Sequence, residues 1–184
     1  MNPSTTEPSL RFGTPADAAA LAAFAARTFA ETFGPDNRAS DMEEHLRSAY
    51  GVSLQHQELS DPAYVTLLME AGGQLVAYAQ LRRCDAPTCV TGEAPLEVRR
   101  FYVDTPWHGR GLAQRLMRAV LDAALTLGGR TVWLSVWERN PRAIAFYSKC
   151  GYVDVGMTDF YVGSDRQTDR VLAMPVTGSP SATP

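Results

Sequence analysis

Between Leu96 and Tyr152 the hydrophobic period switches repeatedly, and few folds accommodate the order of the switches. LEVRRFYV, Leu96 to Val103, is a strand-type run that Asp104-Thr105-Pro106 ends. Leu112, Leu116, Val120, Ala124 and Leu127 then recur at helical spacing, and Gly128-Gly129 supplies a stop. Thr131 to Trp137 is a second strand, and Asn140-Pro141 opens a short helix that Gly151 closes. Two adjacent parallel strands, each feeding a helix, would leave a cleft at their carboxyl ends, where ligands commonly bind.

The flanking segments place this unit in a mixed α/β layer fold. Leu10 to Phe12 reads as a short strand, and Thr14-Pro15-Ala16-Asp17 as a helix cap with proline in the first turn. An Ala-rich helix runs to about Phe33, Gly34-Pro35-Asp36-Asn37 breaks it, and Asp41 to Tyr50 is a second helix. Tyr64 to Glu70 and Gln74 to Arg82 form a hairpin across Gly72-Gly73, and Cys84 to Ala94 is a loop. Tyr152 to Tyr161 and Gln167 to Pro175 are two more strands. The expected organisation is one domain over residues 9–175, with flexible ends at 1–8 and 176–184.

Composition narrows the function. The longest apolar stretches, Ala18 to Ala23 and Ala123 to Leu127, fall far short of the roughly 20 residues that cross a bilayer. No membrane partner is expected, and with no signal-type N-terminus a cytoplasmic location is the default. Cys84, Cys89 and Cys150 match neither a CxxC pair nor a disulfide framework, and His45, His56 and His108 are scattered, so no metal site is expected. The net charge of −3 hides an asymmetry: residues 1–92 carry six basic and eleven acidic side chains, the remainder eleven and nine. Nothing resembles the basic, aromatic-interleaved surface that nucleic acid requires.

The loop His108-Gly109-Arg110-Gly111-Leu112-Ala113 lies between the first of these strands and its helix. Glycines there allow close backbone approach, and free N–H groups at the helix start favour an anion such as a pyrophosphate; an ordinary strand-to-helix turn would also explain them. GxGxxG is absent, and no acidic residue closes the next strand, which argues against a dinucleotide fold.

These residues resemble the GNAT superfamily of acyl-CoA-dependent N-acetyltransferases. HGRGLA is similar to its phosphate loop, [Q/R]-x-x-G-x-[G/A], with His108 departing at the first position. The stretch from Trp133 through Val136-Trp137-Glu138-Arg139-Asn140-Pro141 to Phe146-Tyr147, Lys149 and Gly151-Tyr152 resembles its second cofactor motif. The resemblance implies a twisted, mostly antiparallel sheet of six or seven strands with a splayed parallel pair, flanked by helices. It implies acetyl-CoA as the cofactor, bound by the backbone of Phe101, Tyr102 and Val103, by His108 to Ala113, and by Asn140, Tyr147 and Lys149. Tyr147 would be the acid that meets the departing thiolate, since a phenol can donate a hydrogen bond or proton to it. Packing alone would also account for Phe101, Val103 and Tyr147, and an N-cap role for Asn140.

Glu97 is the candidate base for the incoming amine, placed by simple alternation on the same strand face as Phe101; an ion pair with Arg99 or Arg100 is the plain alternative. An amine arrives as an ammonium, so the acceptor side should hold carboxylates, and Glu97 is one candidate. The resemblance places Glu31 and Asp36, with Asp41, Glu43 and Glu44, where the family's first two helices border the acceptor cleft, a solvated acidic helix face being the plain alternative. TFAETF at Thr28 to Phe33 and GSDRQTD at Gly163 to Asp169 resemble a bacterial subgroup that acetylates spermidine and spermine. The expected activity is acetyl transfer to a small primary amine, a polyamine first among them, by a monomer or homodimer. The alternatives are a protein N-terminus or lysine, another small amine, or a non-catalytic acyl-CoA-binding regulator.

Overall fold

The strand-type runs pair into one seven-stranded sheet in the computed structural model, which describes residues 7–178. The strands are β1 (Ser9–Phe12), β2 (Tyr64–Ala71), β3 (Gln74–Arg82), β4 (Pro95–Val103), β5 (Thr131–Trp137), β6 (Val153–Val162) and β7 (Asp165–Pro175). Their order is β1-β2-β3-β4-β5-β7-β6, antiparallel throughout except for the parallel pair β4 and β5. The helices are α1 (Ala18–Phe33), α2 (Ala39–Ala49), α3 (Val52–Ser60), α4 (Leu112–Thr126) and α5 (Pro141–Lys149). None of them is long and apolar enough to cross a membrane.

Each face of the sheet carries its own core. The apolar stripe of α4, Leu116, Val120 and Ala124, packs on Leu81, Leu96, Val132 and Leu134, all at most 2% exposed. On the other face Leu21, Ala25 and Phe29 of α1 and Met42 of α2 pack on Leu68 and Tyr78. The Thr14–Asp17 capping box opens the 3-10 turn Pro15–Asp17 that leads directly into α1.

Helix α3 has no counterpart in the periodicity reading, for a physical reason. Its inward positions Gln55 and Glu58 are polar yet buried, so no apolar stripe betrays the helix. Glu58 is held by Arg100 of β4, which also donates to Gln80 Oε1 at 3.0 Å and to the Ala49 carbonyl at 3.0 Å. Of the expected flexible ends, residues 1–6 and 179–184 lie outside the described residues. Within them Pro8 and Val176 are buried: Arg115 donates to the Pro8 carbonyl at 2.9 Å, and Val176 N–H donates to Arg130 at 2.8 Å.

Two irregularities in β4 shape the molecule. Its parallel pairing with β5 covers only Pro95, Leu96 and Glu97 against Thr131, Val132 and Trp133, after which the strands part. On its other edge, Leu81 pairs with Val98 but Gln80 with Arg100, which leaves Arg99 as a bulge residue. The splay frees one edge of β4 from Val98 onward, and the bulge reverses which side chains face which core.

Candidate active site

The gap between β4 and β5 opens into a cleft of about 600 Å³ that reaches both faces of the sheet. Phe101, Tyr102, Val103, His108, Gly109, Gly111, Leu112, Ala113, Asn140 and Tyr147 all line it, so the structure brings together residues drawn from four separate elements. Phe101 and Val103 turn their side chains to the α4 core, while Tyr102 stacks on Tyr78 on the opposite face, ring centroids 5.7 Å apart. The backbone between them has no strand partner on its β5 side.

At one end of the cleft stands the start of α4. Gly109 and Gly111 have φ of 76° and 78°, and Gly111 is the N-cap of the helix. That left-handed backbone is what turns the chain into the helix, and few residues other than glycine hold it cheaply. A Cβ on either glycine would meet nothing within 4 Å, so the backbone faces open space. The first intrahelical bond here is from Arg115 N–H to the Gly111 carbonyl, 3.1 Å, leaving the preceding N–H groups of the first turn available to an anion. His108 Nε2 lies 2.7 Å from the Val103 carbonyl, which can only accept, so this nitrogen carries a proton and the ring braces the loop against β4. Arg110 is exposed, its guanidinium 5.6 Å from the centre of the Trp107 ring, and does not line the cleft. Nor does Lys149, exposed in the last turn of α5.

Asn140 caps α5 through a hydrogen bond from Ala143 N–H to its Oδ1, 3.1 Å. Nearly two turns into that helix, Tyr147 is 8% exposed and packs edge-on against Phe101, Phe146 and Tyr152. Burial first, and the Cys150 thiol second, push its phenol well above the ordinary value, so the hydroxyl stays protonated and acts as a donor.

Glu97 lines the cleft, but not on the side that simple alternation gives. The Arg99 bulge places it with Gln80, Arg100 and Tyr102, opposite Phe101. Its partner is Arg82 rather than Arg99 or Arg100: Arg82 Nε donates to Glu97 Oε2 at 2.6 Å, and the Cys84 thiol reaches the same oxygen at 3.4 Å. Glu31 pairs with Arg27 at 3.2 Å, and Asp36 is exposed in the turn after α1; neither lines the cleft.

Three groups in the cleft escaped the sequence reading. Phe33 of α1 meets Trp137 of β5 edge-on at 6.0 Å, and Phe160 of β6 meets His45 of α2 at 5.6 Å, forming an aromatic wall on the α1/α2 face. Behind it lies the Arg100–Glu58–Gln80 cluster. The third is Asp169 of β7, directly across from Trp137, 5% exposed, with Oδ1 lacking any hydrogen-bond partner. Burial pushes its carboxyl up to about 6, the Ser135 hydroxyl drawing it back and the Glu138 carboxylate adding to the rise. Its only sequence signal was membership of GSDRQTD, and burial has no one-dimensional signature.

The splayed parallel pair, the glycine-bounded helix start and the buried phenol of Tyr147 together offer one ligand a free strand edge, an anion site and a hydrogen-bond donor. Residues 26–152 match the Acetyltransferase (GNAT) family. The chain is 34% identical over 160 residues to an uncharacterized N-acetyltransferase of Mycobacterium bovis, covering 85% of this chain and 96% of that one. It is 30% identical over 150 residues to one of Lactobacillus delbrueckii subsp. lactis, covering 82% and 87%. The fold superposes on the PaiA N-acetyltransferase of Thermoplasma acidophilum in complex with coenzyme A with a TM-score of 0.75 at 16% identity, covering 92% of this chain and 99% of that one. Shorter matches are to the N-alpha-acetyltransferase RimI of Mycobacterium tuberculosis, 34% identical over 62% of this chain and 70% of that one. A spermine/spermidine N(1)-acetyltransferase of Bacillus subtilis is 31% identical over 33% and 41%. The chain therefore belongs to the GNAT family: it is an N-acetyltransferase, and acetyl-CoA is its acyl donor.

Proposed function

We propose that this enzyme acetylates a primary aliphatic amine by direct attack in a ternary complex, with spermidine and spermine the first acceptors to test. The observation that carries the reading is the through-sheet cleft. The glycine loop and Tyr147 lie toward its α4/α5 face, and the aromatic wall lies on the other. Backbone N–H groups at the start of α4 hold the donor's diphosphate, and the free edge of β4 from Val98 to Val103 pairs with its amide-bearing arm as an added strand would. The hydroxyl of Tyr147 donates to the sulfur as the carbon–sulfur bond breaks. The acceptor enters past Phe33, Trp137 and Phe160, which can face a cation or an alkyl chain.

A second reading, the α-amino group of a polypeptide, is favoured by the longer match to RimI than to the polyamine enzyme. Thiol release from acetyl-CoA across spermidine, spermine, simple diamines, an aminoglycoside and N-terminal peptides tests both. A preference for spermidine at low salt, weakening as salt is added, supports the polyamine acceptor. A preference for peptides supports the second reading, and turnover on neither, with other amines active, overturns both acceptor assignments.

A further inference from the structure

The acceptor half of the cleft needs a group that draws an ammonium in and removes its proton, because only the neutral amine has a lone pair with which to attack. Carboxylates are the candidates, and the structure separates the two that line the cleft. Glu97 sits where β4 and β5 are still paired, on the closed side of the splay, and Arg82 Nη2 lies 2.5 Å from its Oε2. Its charge is already matched.

Asp169 stands on β7 across from Trp137, at the end of β5 that lies beyond the point where β4 and β5 part. No basic side chain pairs with it among the described residues, and its buried Oδ1 has no hydrogen-bond partner, an arrangement native proteins rarely leave without a use. Most of the cleft's other charged groups are committed elsewhere. Arg100 is held by Glu58, and Arg99 lies 3.8 Å from the other oxygen of that carboxylate. His108 donates to Val103, and burial together with Arg100 holds His45 below the ordinary imidazole value. Arg142 is exposed at the start of α5, and Glu138, in the turn after β5, is the one other carboxylate acting on Asp169.

The geometry points to Asp169 as the catalytic base of this enzyme, the carboxylate that binds the primary ammonium of the acceptor beside Trp137 and takes its proton. Alternation supports the direction of approach. Trp133, Ser135 and Trp137 share the face of Asp169, while Leu134 and Val136 point to the α4 core, so the ammonium meets Asp169 on the face opposite α4 and α5. The base and the Tyr147 donor then act from opposite sides of the gap. Asp169 accepts one ammonium proton, and the freed lone pair forms the nitrogen–carbon bond. The carbon–sulfur bond breaks with its electron pair on sulfur, and Tyr147 protonates the thiolate. The remaining excess proton on nitrogen restores the phenol, and Asp169 returns its own proton to solvent. The products are the amide, the thiol and one proton. Burial supports this role, since a carboxylate with a raised pKa is a stronger base than an exposed one.

This inference rests on acetyl transfer to an amine, and the test keeps the two apart. Steady-state thiol release is followed from pH 5 to 9 for the full chain, for Asp169→Asn, and for Asp169→Ser in case the amide folds poorly. Binding of acetyl-CoA to each is read by thermal shift. The expected result is a loss of about 100-fold or more in kcat/KM for the amine at pH 7, at the lower end of what a positioned base contributes. Acetyl-CoA affinity should stay within about twofold, and the acidic limb expected of the parent near pH 6 should vanish; a merely structural carboxylate would not carry that limb. If the parent turns over and both variants keep its rate and its acidic limb, Asp169 is not the base. If the parent releases no thiol with any amine, the acceptor reading falls, and the role of Asp169 falls with it.

Discussion

Replacing Tyr147 with phenylalanine removes one oxygen and keeps the ring, so its effect can be worked out from the surroundings of that oxygen. The ring packs on Phe101, Phe146 and Tyr152, contacts that phenylalanine retains. What shifts the hydroxyl is burial and the neighbouring thiol, not a protein hydrogen bond, so folding should lose less than about 1 kcal/mol. Catalysis is another matter. A thiolate whose parent thiol ionises near 8.5 is too weak a base to take a proton readily from a phenol held well above its ordinary value. The main service of Tyr147 is therefore a hydrogen bond to developing negative charge, and full transfer comes late. A bond to a charged group is worth roughly 1.5–3 kcal/mol, about 10- to 150-fold in rate. The assay is thiol release at saturating acetyl-CoA with the amine varied, under conditions where chemistry limits the rate. kcat and kcat/KM should fall together, as expected for an interaction made mainly in the transition state. Unchanged turnover would refute the reasoning, and a fall of several degrees in Tm would reveal a structural hydroxyl instead.

Gly111→Val should lose most of the stabilisation that acetyl-CoA confers on the parent, about 2.7 kcal/mol at a hundredfold excess over Kd, because a β-branched residue cannot hold φ near 78° and the loop must rearrange; thermal shift reads this directly. Arg100→Met leaves Glu58 buried without its main partner and should cost about 3–5 kcal/mol in denaturant unfolding, while the double change Arg100→Met/Glu58→Gln should cost clearly less than the sum of the two single changes. Asp169→Asn should stabilise the fold by up to about 3 kcal/mol above pH 6. The folded carboxyl, near 6, sits above its unfolded value, so the parent takes up a proton on folding between about pH 4 and 6 and gains stability as pH falls through that window; the advantage of the variant should shrink over the same range in a pH series of unfolding curves.

The unit from Leu96 to Tyr152 was legible because everything that specifies it is local. The strand pattern of β4 and β5, the stripe Leu116, Val120, Ala124 of α4, the paired glycines of the loop and the Asn140-Pro141 start of α5 each act within a few residues of chain. They outline an anion-binding helix start beside a parallel strand pair, and with them the enzyme class. The bulge at Arg99 was not legible. It arises from how β4 registers against β3, and one extra residue moved Glu97 to the other face and into the grip of Arg82. Helix α3 escaped because its inward residues are polar rather than periodic in hydrophobicity: Glu58 answers the charge on Arg100, 42 positions away, and Gln55 donates to the Ala49 carbonyl. Asp169 looked like one polar residue in a polar run. Only the packing of β5, β6 and β7 removes water from its carboxylate without supplying a cation. Local sequence encodes periods and turns, whereas desolvation and charge pairing depend on which distant residues the sheet brings together.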